Sequence, residues 1–158
     1  MKPFIQVKGQ GPDLVMLHGW GSHKGIWDTF AEQLATRFTL HLVDLPGHGE
    51  SPRQDCRFTA GEFARLVIDH TPPAAWLGSS LGGLIAMKAA LTAPESIHQL
   101  VLISSNPCFV ARPGWPHAQD PEVFKRFTVL PDSGVAETLK YFSKLEVAGS
   151  ENARETLA

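Results

Sequence analysis

Short apolar segments alternate with helical patterns up to Ser105, and this alternation limits the fold more than any other feature of the chain. The predicted strands are PFIQVKG, DLVMLHG, FTLHLVDLPG, AAWLGS and HQLVLISS. The predicted helices between them are GIWDTFAEQLA, AGEFARLVIDH and LGGLIAMKAAL. Strands that alternate with helices form a mostly parallel sheet with crossover helices on both faces. The sequence therefore predicts an α/β fold.

Two of these helices carry more detailed signals. Thr59 precedes AGEFARLVIDH and Glu62 follows three residues later, which predicts a capping box at the start of that helix. In GIWDTFAEQLA the spacing predicts one buried face made of Ile26, Trp27, Phe30 and Leu34.

The pattern changes after Ser105. The segment NPCFVARPGWPHAQDP is rich in proline, glycine and aromatic residues, and PEVFKRFTVL and GVAETLKYFSKLEVAG then have helical spacing with no further strand. We therefore predict two regions: residues 1–108 form the N-terminal part of an α/β core, and residues 109–158 begin a helical cap, or lid.

Composition narrows the class of protein. The 158 residues are enough for one domain with a core, and contents of 43% hydrophobic and 19% charged residues indicate a globular protein. A net charge of −2 argues against a nucleic-acid-binding protein. Without an N-terminal apolar segment or a long apolar stretch, we expect a cytoplasmic protein that does not associate with membranes. Cys56 and Cys108 lack the spacing of metal ligands, so we expect two reduced thiols and no metal site.

The segment WLGSSLGGL predicts a nucleophile. It contains the pattern Gly78-Ser79-Ser80-Leu81-Gly82, with a predicted strand before it and a predicted helix after it. A tight strand-to-helix turn strains and exposes its serine and needs small neighbours, as in the nucleophile elbow of serine hydrolases. Ser80 is therefore the candidate catalytic residue.

The segment LHGWG follows an earlier predicted strand and predicts part of an oxyanion hole. A glycine-containing loop at that position turns a backbone N–H toward the nucleophile, so we predict that the N–H groups of Trp20 and Leu81 form an oxyanion hole. His18, next to this loop, is predicted to be structural rather than a general base.

In this order, LHGWG, LVDLPGHGES, WLGSSLGGL and SSNPCF resemble the α/β-hydrolase superfamily, and within it the carboxylesterases that act on acyl-carrier-protein esters in biotin synthesis. The resemblance covers the whole chain. It implies that Ser80 is the nucleophile, that Trp20 and Leu81 contact substrate, and that no cofactor is needed. It also implies an acyl-chain pocket lined by the segment FSKLE, which comprises Phe142, Ser143, Lys144, Leu145 and Glu146.

The same resemblance implies a substrate carried on acyl carrier protein, which is strongly acidic. Because the chain is itself slightly acidic, docking would need a local basic patch, and Lys140, Lys144 and Arg154 are the candidate contacts. Glu137 and Glu146 lie nearby and dilute that patch, so ordinary solvated surface charges remain the alternative.

The chain departs from the superfamily pattern in one respect, because no acid and base complete a triad. The triad order is Ser, then Asp or Glu, then His. Only Glu95 and His98 satisfy this order, and they precede a predicted strand, at the sheet edge opposite Ser80. We therefore expect an N-terminal portion of an enzyme of about 250 residues, with the C-terminal part of the core absent or supplied by a second chain.

Other functions remain open from the residues alone. Other serine α/β-hydrolases, such as C–C bond hydrolases and lactonases, share the superfamily motifs. If 158 residues is the natural length, a non-catalytic acyl-binding module is the alternative from a different class of protein.

Overall fold

The chain forms two compact units, Met1–Pro107 and Cys108–Ala158. The structure is a computed structural model that describes residues 2–53, 59–128, 134–148 and 151, leaving out the side chains of 126–128. Cys56 and Arg154 lie outside the described residues, whereas Cys108 is described and forms no disulfide with another described residue. The interpretation of the second unit as a cap stays a prediction.

The first unit is built on a five-stranded sheet. Its strands are β1 (Ile5–Gly9), β2 (Asp13–Leu17), β3 (Thr39–Val43), β4 (Ala74–Ser79) and β5 (Ile97–Ile103). Their order across the sheet is β1-β3-β2-β4-β5. β1 is antiparallel to β3, and all other neighbours are parallel. The predicted α/β fold with a mostly parallel sheet is confirmed.

Three α-helices accompany the sheet in this unit. They are α1 (Asp28–Leu34), α2 (Ala60–Ile68) and α3 (Leu81–Thr92), with short 3₁₀ turns at Lys24–Trp27 and Pro94–Ser96. α2 begins as predicted, because the Thr59 side chain accepts the N–H of Glu62 while the Glu62 carboxylate accepts the N–H of Thr59. This capping box satisfies donors that the first turn leaves without partners.

Alternate residues of the strands point into two separate cores. Val15 and Leu17 of β2 pack with residues of α2 and α3, whereas Leu14 and Met16 pack with Trp27 and residues of α1. Successive side chains of a strand point to opposite faces of a sheet. Helices therefore cover both faces of the sheet, as predicted.

The buried face predicted for GIWDTFAEQLA is partly wrong. Trp27 is buried and Leu34 packs against the core, but Ile26 and Phe30 are exposed and Ala31 is buried instead. The segment is not one continuous α-helix, since Lys24–Trp27 form a 3₁₀ turn before α1 begins. A 3₁₀ turn has three residues per turn rather than 3.6, which rotates the apolar stripe away from the predicted face.

The second unit contains two described helices, α4 (Pro121–Thr128) and α5 (Val135–Glu146). Before them, isolated bridges join Val110 to Gln119 and Arg112 to Trp115. The indole N–H of Trp115 donates to the carbonyl of Cys108 (3.1 Å). Both helices lie where the helical spacing predicts them.

Candidate active site

Ser80 occupies a strained turn between β4 and α3. Its backbone has φ 50° and ψ −115°, a region that a residue with a side chain rarely adopts and that costs on the order of 1–3 kcal/mol. The Ser80 N–H donates to the Ile103 carbonyl (2.9 Å), and the Ser80 carbonyl accepts the N–H groups of Gly83 (3.0 Å) and Leu84 (3.1 Å). These bonds hold the strained conformation, which is the one predicted for a nucleophile elbow.

Glycines make the turn possible because backbone segments pass very close to one another. A Cβ on Gly78 would lie 2.5 Å from the carbonyl group of Gly82, and a Cβ on Gly82 would overlap the carbonyl oxygen of Leu17. Real Cβ atoms essentially never approach other atoms that closely. The amino end of α3 therefore rests directly on the carboxyl end of β2, and Ser80 is presented at that edge of the sheet.

The loop that follows β2 lies beside the Ser80 side chain. A Cβ on Gly19 would be 3.3 Å from the Ser80 Cβ and 3.9 Å from the Ser80 Oγ. A turn then reverses the chain, with the N–H of Ser22 donating to the carbonyl of Gly19 (3.4 Å) and Gly21 at φ 71°. A positive φ at the third position of a turn is typical of type II and favours glycine.

The two predicted oxyanion donors belong to these neighbouring segments. Trp20 directly follows Gly19, and Leu81 is the first residue of α3, where N–H groups have no carbonyl one turn earlier in the helix. Ser80, Leu81 and Trp20 are all half-buried. Their roles as oxyanion donors stay a prediction.

His18 is held on both ring nitrogens. Its Nδ1 lies 2.7 Å from the carbonyl oxygen of Gly19, and its Nε2 accepts the N–H of Leu45 at 3.0 Å. Burial lowers the pKa of His18 to about 4, partly opposed by the bond to the Gly19 carbonyl. A neutral imidazole with both nitrogens engaged supports the structural role predicted for it.

A buried carboxylate ties together the loops that follow β2 and β3. Asp44 is fully buried, and its two oxygens accept the N–H groups of Lys24 (2.6 Å) and Glu50 (2.9 Å). The Lys24 ammonium bonds to the Glu50 carboxylate (2.7 Å), and this bond raises the pKa of Lys24. Hydrogen bonds to charged groups are stronger than neutral ones, so these bonds hold the two loops firmly to each other.

The strand register places Glu95 and His98 far from Ser80. Ile97 pairs with Ala74 and Ile103 pairs with Ser79, so His98 lies near the amino end of β5 and Ser80 follows the carboxyl end of β4. A separation of five strand residues is about 17 Å. Among the described residues, no side chain hydrogen-bonds to the Ser80 hydroxyl.

Ser105 contacts the nucleophile turn and was not predicted from the sequence. Its Oγ lies within hydrogen-bond distance of the carbonyl oxygens of Ile103 (2.9 Å), Ser80 (3.2 Å) and Gly78 (3.4 Å). A Cβ on Gly83 would overlap the Ser105 Oγ. Ser105 belongs to the segment SSNPCF, which contributed only to the resemblance in the sequence analysis. No spacing of residues indicates that a side chain after β5 contacts the turn after β4.

The predicted pocket residues lie on one helix of the second unit. Phe142, Ser143, Lys144, Leu145 and Glu146 are consecutive in α5, where Phe142 and Ser143 are half-buried and the other three are exposed. Partial burial raises the pKa of Glu146. Consecutive helix residues point in directions about 100° apart, so they cannot all face one pocket. Their role in acyl binding stays a prediction.

Comparison with known proteins defines the class. The model of the alpha/beta hydrolase family matches residues 14–155, so the chain belongs to this family. A solved esterase, EaEST from Exiguobacterium antarcticum, superposes with a TM-score of 0.79 at 25% identity, over 90% of this chain and 56% of that one. The fold described above is therefore that of a hydrolase family.

Relatives that match by sequence define the kind of hydrolase more closely. The chain is 47% identical to a pimeloyl-[acyl-carrier protein] methyl ester esterase of Chromobacterium violaceum, over 99% of this chain and 62% of the relative. It is 44% identical to the esterase of the same name from Nitrosomonas europaea, over 98% of this chain and 61% of that protein. The chain thus spans about three fifths of the length of these relatives.

The described part of the chain contains neither a membrane-spanning helix nor a cluster of metal ligands. Within residues 2–53, 59–128, 134–148 and 151, no helix has the length and apolar character needed to cross a bilayer. In the same part of the chain, no group of three His, Cys, Asp or Glu side chains is arranged to hold a metal ion.

Proposed function

We propose that this chain carries the nucleophile and the oxyanion hole of a serine carboxylester hydrolase. The observation that supports it most is the strained Ser80 turn, with Gly19 so close that a Cβ added there would lie 3.3 Å from the Ser80 Cβ. The names of the relatives give the substrate class, a methyl ester of a pimeloyl group on acyl carrier protein. The proposal assigns this substrate to the complete natural protein.

The proposed reaction has two steps. In the first, Ser80 Oγ attacks the ester carbonyl, its proton passes to a base and then to the leaving methoxide, and methanol departs from an acyl-enzyme. In the second, water attacks the acyl-enzyme, gives a proton to the base and releases the free acid, and Ser80 regains its proton. The N–H groups of Trp20 and Leu81 hold the charge on the carbonyl oxygen in both steps.

Neither His18 nor His98 can act as the base for Ser80. His18 is engaged on both nitrogens, and His98 lies near the opposite edge of the sheet. A serine hydroxyl is a weak nucleophile without a base. We therefore expect the 158-residue chain alone to hydrolyse esters only at the residual rate that binding and an oxyanion hole provide.

Replacing the nucleophile tests the function. In the complete natural protein, Ser80→Ala should reduce methanol release from the carrier-bound methyl ester by about 10⁴-fold or more, as loss of a triad serine does. Ser79→Ala is the matched control, because it removes the neighbouring hydroxyl and should keep most of the activity. A serine-directed phosphonate, followed by mass spectrometry, should modify Ser80 in the parent protein.

Retained hydrolysis in the Ser80→Ala variant, or phosphonate on another residue, would contradict this assignment. If the complete natural protein binds the ester but releases no methanol, the acyl-binding module becomes the better description.

The carrier contacts are the finer part of the proposal. Lys140 and Lys144 are both exposed on α5 and are four residues apart, so they share one face. Lys125 on α4 already pairs with Glu122, which weakens its claim to a docking role. We infer that Lys140 and Lys144 attract the acidic carrier protein, together with Arg154, for which the structure gives no placement.

Charge reversal tests the docking role. Lys140→Glu with Lys144→Glu should lower kcat/KM for the carrier-bound ester by about tenfold at low salt, because charges at the rim of an interface act mainly on association. A small free ester should react at the parent rate. Raising the salt concentration to about 0.5 M should bring the parent toward the variant, since screening then acts over about 4 Å.

The control pair is Lys2→Glu with Lys88→Glu, which changes the net charge equally at exposed positions of the first unit. Equal losses on carrier-bound and free esters would mean that Lys140 and Lys144 support the structure of the second unit rather than docking.

A further inference from the structure

Two histidines join the loops after β2 and β3 in a reciprocal way. We call residues 18–24 the β2 loop and residues 44–51 the β3 loop. His18 of the β2 loop accepts the N–H of Leu45 in the β3 loop, at 3.0 Å. In the opposite direction, His48 of the β3 loop accepts the N–H of Gly21 in the β2 loop, at 3.3 Å. The ring centroids are 5.2 Å apart.

Both rings must be neutral and must carry their proton on the same nitrogen. His18 Nδ1 faces the carbonyl of Gly19 (2.7 Å) and His48 Nδ1 faces the carbonyl of Pro46 (3.1 Å), so Nδ1 is the donor in each ring. Nε2 is then the acceptor for the N–H of the other loop. A doubly protonated imidazole has no acceptor, so protonation breaks the bond between the loops.

The Gly21 N–H belongs to the peptide group that joins Trp20 to Gly21. Gly19, which lies beside Ser80, directly precedes Trp20. Fixing this peptide group fixes the turn that leads from Gly19 past Trp20. The turn lies beside Ser80, as the close approach of Gly19 shows. The Trp20 N–H lies on the preceding peptide group, so the bond to Gly21 constrains its direction through the backbone dihedral angles of Trp20.

We propose that His48 is a positioning residue, whose neutral imidazole holds the Trp20–Gly21 peptide group so that the Trp20 N–H faces the carbonyl oxygen of a substrate bound to Ser80. The inference rests on the proposed esterase function. It adds to the oxyanion loop a hydrogen bond to a side chain that takes no part in the proposed reaction.

Several charged or titratable groups surround this contact. His18 faces the His48 ring, and the charges of Asp44 and His23 act on His18 as well. Lys24 and Glu50 form an ion pair across the same two loops. Burial keeps His18 neutral down to a pH of about 4, so its own bond to the β3 loop persists in mildly acid solution. The half-exposed His48 is the ring of the pair that can be replaced without opening the core.

Nuclear magnetic resonance tests the contact without any need for catalysis. In His48→Leu the amide signal of Gly21 should shift from its position in the parent protein, because the acceptor of its N–H is lost. In His48→Gln the side-chain oxygen can accept the N–H, so the Gly21 signal should stay near its position in the parent protein.

Kinetics then test the positioning role. In the complete natural protein, His48→Leu should lower kcat about tenfold with little change in KM, less than the 10²–10³-fold loss caused by removing an oxyanion donor. His48→Gln should restore most of kcat, because the side-chain oxygen can accept the Gly21 N–H. His70→Leu is the matched control, because His70 also bonds a carbonyl, that of Leu66, but lies at the end of α2.

These experiments separate the positioning role of His48 from the proposed esterase function. A Gly21 amide signal that does not move in His48→Leu overturns the inference, whether or not the protein is an esterase. A shifted amide signal with an unchanged kcat in His48→Leu also overturns it, since the contact is then structural only. If the parent hydrolyses no ester, the proposed function fails and the positioning role fails with it, while the amide signal still reports whether the contact exists.

Discussion

β2 and β5 flank the same strand, β4, and are both parallel to it, yet their environments differ sharply. Leu17 of β2 and Leu102 of β5 pair with the same residue, Gly78. Leu17 is 0% exposed, whereas Leu102 is 42% exposed. Both strands are apolar, so composition does not explain the difference.

Neighbours explain it instead. β2 lies between β3 and β4, with helices packed on both faces, whereas β5 is the last strand of the sheet formed by the described residues. Both strands nevertheless lead to the nucleophile turn, because Gly19 follows β2 and the Ile103 carbonyl at the end of β5 accepts the Ser80 N–H. One side of the turn thus rests on a packed strand and the other side on an exposed one.

Replacing a leucine by alanine in each strand should give the largest difference in stability between β2 and β5. In the 158-residue chain, Leu17→Ala should lower the free energy of unfolding by about 3–5 kcal/mol, because it leaves a cavity in a closed core. Leu102→Ala should cost less than about 1 kcal/mol, as expected where water already reaches the side chain. Urea denaturation followed by circular dichroism measures both values.

The same pair of variants can also contradict the conclusion that β2 is packed and β5 is exposed. Equal losses in the 158-residue chain would mean that β5 is covered in solution, and light scattering would show whether a second copy covers it, as exposed edge strands favour. In the complete natural protein, a cost for Leu102→Ala that rises to that of Leu17→Ala would show that other residues pack on β5.

Lowering the pH should reduce the free energy of unfolding through His18, which follows β2, by less than Leu17→Ala does. The pKa of His18, next to β2, is about 4 in the folded chain against an ordinary 6.5. Between these pH values the unfolded chain binds more protons, so the free energy of unfolding falls as the pH falls. The expected loss from His18 is about 2 kcal/mol on going from pH 7 to pH 5.

A histidine on β5 provides the control for this loss. His18→Gln should lower stability at pH 7 and flatten its dependence on pH, whereas His98→Gln, at an exposed position of β5, should leave that dependence unchanged. If His18→Gln keeps the full pH dependence, another group causes the acid sensitivity. Urea midpoints measured at several pH values decide between these outcomes.

Much of the fold was predictable because its signals are local. The Thr59–Glu62 capping box, the five strands and the glycines around Ser80 depend on residues close together in the chain, and all are found where the sequence predicts them. The buried face of GIWDTFAEQLA was partly wrong because a 3₁₀ turn changes the periodicity, which spacing alone does not reveal.

The sequence by itself determined the α/β class, the position of the strained serine and the loop beside it, because each depends on short-range patterns of apolar and small residues. Only the tertiary structure decided what holds that site. The Oγ of Ser105 reaches the carbonyl of Ser80, which is 25 residues away in the chain, and His48 accepts the N–H of Gly21, which is 27 residues away. Such contacts depend on which strands become neighbours and in what register, and no local pattern encodes that pairing.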